Sequence, residues 1–298
     1  MTANAKTLER PAVVEYNPFK ETWQRFRRSP SGMIGLTILV IHLTIAVTSP
    51  LLVPYSPTKI DSKSLTQSPS SEHLFGTDSF GRDVLTRVLL GGRIALLITL
   101  TAGALALTWG GLSGIVLGFV GGVIDEAMMR VVDAMLALPS LFLYLLVISA
   151  LGTSNTVLIL MLAFRSGISI VRIARSATLD FVARDFITAA RARGERTWNV
   201  VLRELLPNVL DILMVQWAMR WSWMLLSFSG LSFLGFGITP PTPDWGLMIA
   251  ENRARLAFAP WASVFPMLAL STLVIGINLA ADALAKAVGL DRSREAPV

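Results

Sequence analysis

The chain has 298 residues, 53% of them hydrophobic and only 15% charged, with a mean hydropathy of +0.60. A soluble domain of this length carries more charged surface, so the composition excludes one and points to one membrane domain built of several apolar spans. The formal charge of +6 raises nucleic-acid binding, but the basic residues cluster between apolar runs, as orientation signals do, and no nucleic-acid partner is expected.

Residues 1–32 form a polar arm, too long for the basic start of a secretory signal, so the first apolar run is expected to stay as an anchor. Within the arm, 17–29 (NPFKETWQRFRRS) reads as a short amphipathic helix. Trp23 and Phe26 share one face, with Arg25, Arg27 and Arg28 beside them, which suits the headgroup layer of an anionic membrane lipid surface. The ends 1–15 and 291–298 read as disordered. The apolar domain, 33–287, is expected to be all-α and polytopic, with six transmembrane helices at 33–53, 93–120, 130–151, 155–173, 209–234 and 261–285. Each covers a ~30 Å hydrocarbon core at about 1.5 Å per residue. A tail, 288–298, follows.

Lys and Arg set the orientation. They crowd the arm (Lys6, Arg10, Lys20, Arg25, Arg27, Arg28), the stretch from Arg172 to Arg203, and the tail (Lys286, Arg292, Arg294). Six spans put all three on one side, which the positive-inside rule makes cytoplasmic, N- and C-termini included. The segment 55–92 is then external although it holds Lys59, Lys63, Arg82 and Arg87.

The stretch 183–208 (ARDFITAARARGERTWNVVLRELLPN) reads as helix, break, helix. Gly194 suits the left-handed position that ends a helix, and Thr197 to Leu206 resumes with Trp198, Val201, Leu202 and Leu205 on one side. Pro207 fits the opening of the next span, where a missing N–H matters least. Ala189, Ala190 and Gly194 make a small face that another protein can approach closely, although an ordinary chain-reversing loop reads the same way.

Two alanines, three residues, Gly, then a spacer ending in Leu206-Pro207 resemble the EAA loop of bacterial ABC importer permeases. Thr188 stands where that family has Glu. Three further segments resemble the dipeptide, oligopeptide and nickel group of these permeases: 73–93 (HLFGTDSFGRDVLTRVLLGGR), 125–140 (DEAMMRVVDAMLALPS) and 231–246 (LSFLGFGITPPTPDWG). Near the end, Asn278 and Asp282 follow the family, while Ala281, Ala285 and Lys286 depart from it. The resemblance implies a type I ABC importer permease fold in the bacterial cytoplasmic (inner) membrane. It implies an ATPase-coupling loop containing Thr188, Ala189, Ala190, Gly194, Leu206 and Pro207. It also implies partners: a homologous permease subunit forming a heterodimer, two ABC ATPase subunits or domains carrying ATP and Mg, and an extracytoplasmic solute-binding protein. The cargo is expected to be a peptide or similar small solute, with nickel or an opine as alternatives.

Around the external segments, Val84, Leu85, Val88 and Leu89 form an apolar stripe suited to a short surface helix before the second span. Asp78, Arg82, Asp83 and Arg87 are spaced as a local ion-pair cluster, which contributes little if exposed. Pro240, Pro241, Asp244 and Trp245 mark a rigid external loop, a candidate contact for the binding protein. Intramembrane charge is costly and usually faces a cavity or a partner, and Arg220 lies roughly 18 Å past Asn208 along its helix. It is a pathway candidate with Trp217 and Trp221, expected to pair with a substrate carboxylate or a carboxylate on a partner subunit; an interhelix hydrogen bond is the alternative. Arg165 is expected to snorkel to the headgroups.

Catalysis is excluded by inventory. The only histidines are His42 and His73, Cys is absent, and neither HExxH nor GxxxxGK[ST] occurs. No cofactor is expected in this chain, and energy must come from other subunits. An ion-gradient-driven secondary transporter is the rival reading. It predicts acidic or His residues deep in the spans and inverted repeats, whereas Asp133, Asp211 and Asp282 lie near span ends.

Overall fold

The computed structural model describes residues 18–289, so the expected disordered ends lie outside the described residues. Every element there is helical. A short α1 (Pro18–Arg27) is followed by α2 (Pro30–Leu52), α3 (Val84–Val120), α4 (Gly122–Ala137), α5 (Ser140–Leu151) and α6 (Asn155–Val182). The loop elements α7 (Asp185–Ala192) and α8 (Thr197–Asn199) precede α9 (Leu206–Phe233), α10 (Trp245–Asn252) and α11 (Trp261–Val288).

Among the described residues, four helices are long and apolar enough to cross a membrane: α2, α3, α6 and α11. The expected third span, 130–151, is two helices, α4 and α5, bent by 90°. The break falls at Leu138-Pro139, where proline disfavours the helical conformation of the residue before it, and the pair counts as a fifth span if taken together. The expected span 209–234 lies in α9, which has 28 residues but is diluted by Asn208, Asp211, Gln216, Arg220 and several serines. The surface helix and second span merge into the 37-residue α3. At about 1.5 Å per residue it is roughly 55 Å long, more than the ~30 Å core, so its ends extend beyond the hydrocarbon. Likewise α6 runs to Val182 rather than stopping at 173.

α3 and α6 pack backbone to backbone. Gly110, Gly114 and Gly118 recur every fourth residue on one face of α3. A Cβ there would lie 2.5 Å from the Gly167 carbonyl, 2.4 Å from the Val171 carbonyl and 2.9 Å from the Arg175 carbonyl. Lipid tails give apolar helices no reason to avoid lipid, so association rests on such close van der Waals contact. In return Trp109 lies over Gly167 and donates to the Ala163 carbonyl (3.2 Å).

Phe26 of α1 is buried against Ala283 and Ala287 of α11, while Trp23 remains 43% exposed. The helix thus docks on the bundle by one aromatic and leaves the other for its surroundings. His42 meets Thr272 across α2 and α11 at 3.0 Å.

At the N-terminal end of α3 the acidic and basic residues are not an exposed cluster. Asp78, Arg82, Asp83 and Arg87 are all at most 5% exposed. Arg82 donates to Asp78 (2.6 Å) and Glu251 (2.5 Å), and Arg87 to Glu251 (3.2 Å) and the Pro57 carbonyl (3.0 Å). Asp83 caps α3 through the Thr86 N–H and contacts His73 Nδ1 at 2.9 Å. Burial changes the energetics: removing one partner leaves an uncompensated charge in low dielectric. Beside this network Asp244 caps α10 through the Leu247 N–H, and Trp245 lies across Gly91 and Gly92 with its Nε1 donating to the Val88 carbonyl (2.8 Å).

Gly110→Val forces the α3–α6 pair apart and should lower stability by about 2 kcal/mol or more. Gly230→Ala, whose new methyl meets nothing within 4 Å, should be neutral or slightly stabilising; thermal unfolding in detergent compares them. A second expectation concerns pH. Burial pushes the Asp244 carboxyl from 3.8 up to about 6, against the pull of its backbone hydrogen bonds. The folded chain therefore keeps a proton that the unfolded chain releases first, so this residue's contribution to stability is largest below about pH 4 and is lost as pH rises to about 6. Asp244→Asn, which keeps the cap acceptor, should remove that decline and match or exceed the unaltered chain at pH 7 in the same assay.

Candidate functional site

The loop 183–208 is organised by which side of α7 faces the bundle. Ile187 and Ala190 are fully buried, packing with Ile115, Ala174 and Ala177 at the ends of α3 and α6. Arg191 reinforces this by donating to the Phe119 carbonyl (3.2 Å) and lying over its ring at 4.5 Å. Thr188, Ala189, Ala192 and Gly194 are exposed. Of the three small residues expected to form one approachable face, Ala190 therefore belongs to the core, and the outer face consists of Ala189 and Gly194 with Thr188. Gly194 has φ +72°, and a side chain there would meet nothing within 4 Å. Its glycine requirement is thus one of backbone conformation.

Beyond Gly194 the helix resumes differently from the pattern read from sequence. Val200, Val201 and Leu205 are buried, whereas Trp198 is 60% and Leu202 47% exposed. The reason is the winding: Val200–Leu205 is a π-helix that runs directly into α9. A wide turn just before Pro207 accommodates the missing N–H and the ring, which would otherwise meet the preceding turn. Leu206 is half-buried and Pro207 exposed at the first positions of α9. From Thr197 onward, loop and span are consequently one uninterrupted helical run.

Two ion pairs tie α4 to α6 near the loop. Arg175 grips Asp125 with two bonds of 2.6 Å, and Arg172 pairs with Asp133. Neither pair is evident from local spacing, because the partners lie 50 and 39 residues apart.

The pathway candidates separate onto two sides of α9. Trp221 is buried, donates to Thr99 (3.0 Å) and stacks on Trp217 with ring centroids 5.8 Å apart. Both line an apolar cavity of about 270 Å³ with Phe26, Leu36 and Ile277. Arg220 instead faces a second cavity, of about 190 Å³, together with Arg165, Tyr144 and Trp223. Arg165 is half-buried at this cavity; its Nε is enclosed and its Nη1 reaches Ser169 at 3.4 Å. In the loop between α9 and α10 Pro240 and Pro241 are exposed, but Asp244 and Trp245 are 0% and 2% exposed and offer no surface for direct contact with another protein. No group of three or more His, Cys, Asp or Glu side chains suited to a metal ion occurs among the described residues.

Comparison with known proteins agrees with this architecture. Residues 110–292 match the family described as "Binding-protein-dependent transport system inner membrane component", and 17–69 match the N-terminal TM domain of oligopeptide transport permease C. The chain is similar to the dipeptide transport system permease protein DppC of Alkalihalophilus pseudofirmus, with 32% identity over 91% of this chain and 90% of that protein. It is also similar to the glutathione transport system permease protein GsiD of Escherichia coli O157:H7, with 35% identity over 96% and 94%. Among solved structures, a chain of the inward-facing MetNI methionine ABC transporter aligns with a TM-score of 0.55 and 19% identity, covering 69% of this chain and 96% of that one. That likeness concerns the fold, the type I importer permease fold, and the ion-gradient alternative finds no support. The chain belongs to the family of binding-protein-dependent transport system inner membrane components and is a transmembrane permease subunit of an ABC importer.

Proposed function

We propose that the chain forms half of the pathway of an importer for peptides or similar small solutes and receives ATP-driven motion through the loop 183–208. The observation that carries this reading is the two-sided packing of α7. Its inner face is fastened to α3 and α6, while its exposed side presents Thr188 with the small residues Ala189 and Ala192, flanked by Asp185 and Arg191. Small residues let a second protein's backbone come close. That face is where one of the transporter's two ATPase subunits or domains docks, the pair bringing ATP and Mg; this chain holds no cofactor. Hydrolysis belongs to those subunits, and this chain is not itself an enzyme.

A homologous permease subunit supplies the other half of the pathway, and an extracytoplasmic solute-binding protein delivers cargo at the exposed Pro240-Pro241 turn. The termini and the loop share the cytoplasmic side, supported by the basic residues gathered there. Dipeptide and glutathione, the cargoes in the relatives' names, are both short peptides, which supports that class over nickel or opines.

Ala189→Trp alters the outer face without touching the core. In the complex reconstituted with its ATPase subunits and binding protein, it should lower ATP-driven uptake roughly tenfold or more. Membrane insertion and thermal unfolding should be unchanged, and Ala189→Ser should transport normally. Full transport by Ala189→Trp with the ATPase bound as before would show that the loop does not couple.

A further inference from the structure

The cavity holding Arg165 and Arg220 has an unusual inventory. Its lining combines the two guanidinium groups with Tyr144, Trp223 and the hydroxyls of Ser140, Ser166, Ser169 and Ser227. Among the described residues no Asp or Glu lies within ion-pair distance of either arginine, although Arg172 and Arg175, on the same helix as Arg165, each have one. The Nε of both Arg165 and Arg220 is buried without a partner. The charge acting on Arg220 is that of Arg165.

Two like charges sharing a partly desolvated cavity repel, and each orphaned N–H costs free energy. Structural arginines in membranes ordinarily find a carboxylate or a backbone carbonyl. This pair has neither, so the arrangement is complementary to an anion from elsewhere. The backbone supports the same sign. Ser140 is the first residue of the 12-residue α5, which starts at the Pro139 break with no side-chain cap and no acidic residue in its first turn. A broken span whose free helix start lies at a cavity favours negative charge there. At about 190 Å³ the cavity has room for roughly six water molecules. A carboxylate and the residue that bears it fit in that space.

We infer that Arg165 and Arg220 form a carboxylate-binding site within the membrane domain, and that the α-carboxylate of the transported peptide occupies it during passage. The inference rests on the peptide-importer reading above and deepens it. A bidentate guanidinium–carboxylate pair is planar and specific, which lysine does not reproduce. The cavity would then distinguish a peptide with a free C-terminus from one whose C-terminus is an amide.

The test uses the complete reconstituted importer and compares maximal ATP-driven uptake of a labelled dipeptide with that of its C-terminal amide. Because the binding protein is the same throughout, its own preference cancels when variants are compared with the unaltered complex. Arg220→Gln and Arg165→Gln should each slow the free acid roughly tenfold while leaving the amide within about twofold, with Arg→Lys variants in between. An equal fall for both cargoes, with ATPase co-purification and thermal unfolding intact, would overturn the proposal in favour of a carboxylate on the second permease subunit. No fall for either would overturn it outright. If the unaltered complex takes up neither compound, the peptide reading fails and the site fails with it; uptake with an unchanged ratio removes the site alone.

Discussion

The close approach of α3 and α6 is the contact on which the other elements depend. With Gly110, Gly114 and Gly118 set against the Gly167, Val171 and Arg175 carbonyls, there is no intervening side chain to slide or repack. In a bilayer, where burial of apolar surface gives helices little reason to associate, such contact is what makes two spans one body. Each end of that body then carries something. The N-terminal end of α3 holds the ionic network with Glu251, and its C-terminal end, through Phe119, holds Arg191 of the loop. α6 contributes Arg165 to the polar cavity and Arg172 and Arg175 to the clamp on α4.

α9 is the element that connects these regions. It begins as the continuation of the loop, passes Arg220 at the polar cavity and Trp221 at the apolar one, and ends where Ser229 and Ser232 crowd Gly246 beneath the outer loop. A soft π-turn is retained where proline would have broken the run. The two cavities therefore lie along one helix, and its start adjoins the loop that carries the docking face proposed for the ATPase.

Much of this was legible in the sequence, and the parts that were not share a cause. Apolar runs and their flanking signals located α2, α6 and α11, and the small residues around Gly194 located the loop. Which alanine faced inward was not legible, because Ala189 and Ala190 are chemically identical and only packing against Ile115 and Ala174 separates them. Arg82 and Arg87 stood out as positive charges in a segment expected outside. Their resolution lies with Glu251, 169 and 164 residues away, a partner no local spacing reveals. Helical position likewise gives the depth of Arg165 but not Arg220, its neighbour across the cavity. The break at Pro139 was written plainly as Leu-Pro, yet hydropathy averaged over the segment hid it.

The network at the N-terminal end of α3 also constrains the order in which the chain can assemble. Asp78 is available to Arg82 as soon as both have been made, but Glu251 and the Pro241 carbonyl reach Arg87 only after more than half of the remaining chain has emerged. Until then Arg87 has only Asp78 and the Pro57 carbonyl, both earlier in the chain. The charge network is therefore complete only once α10 is in place.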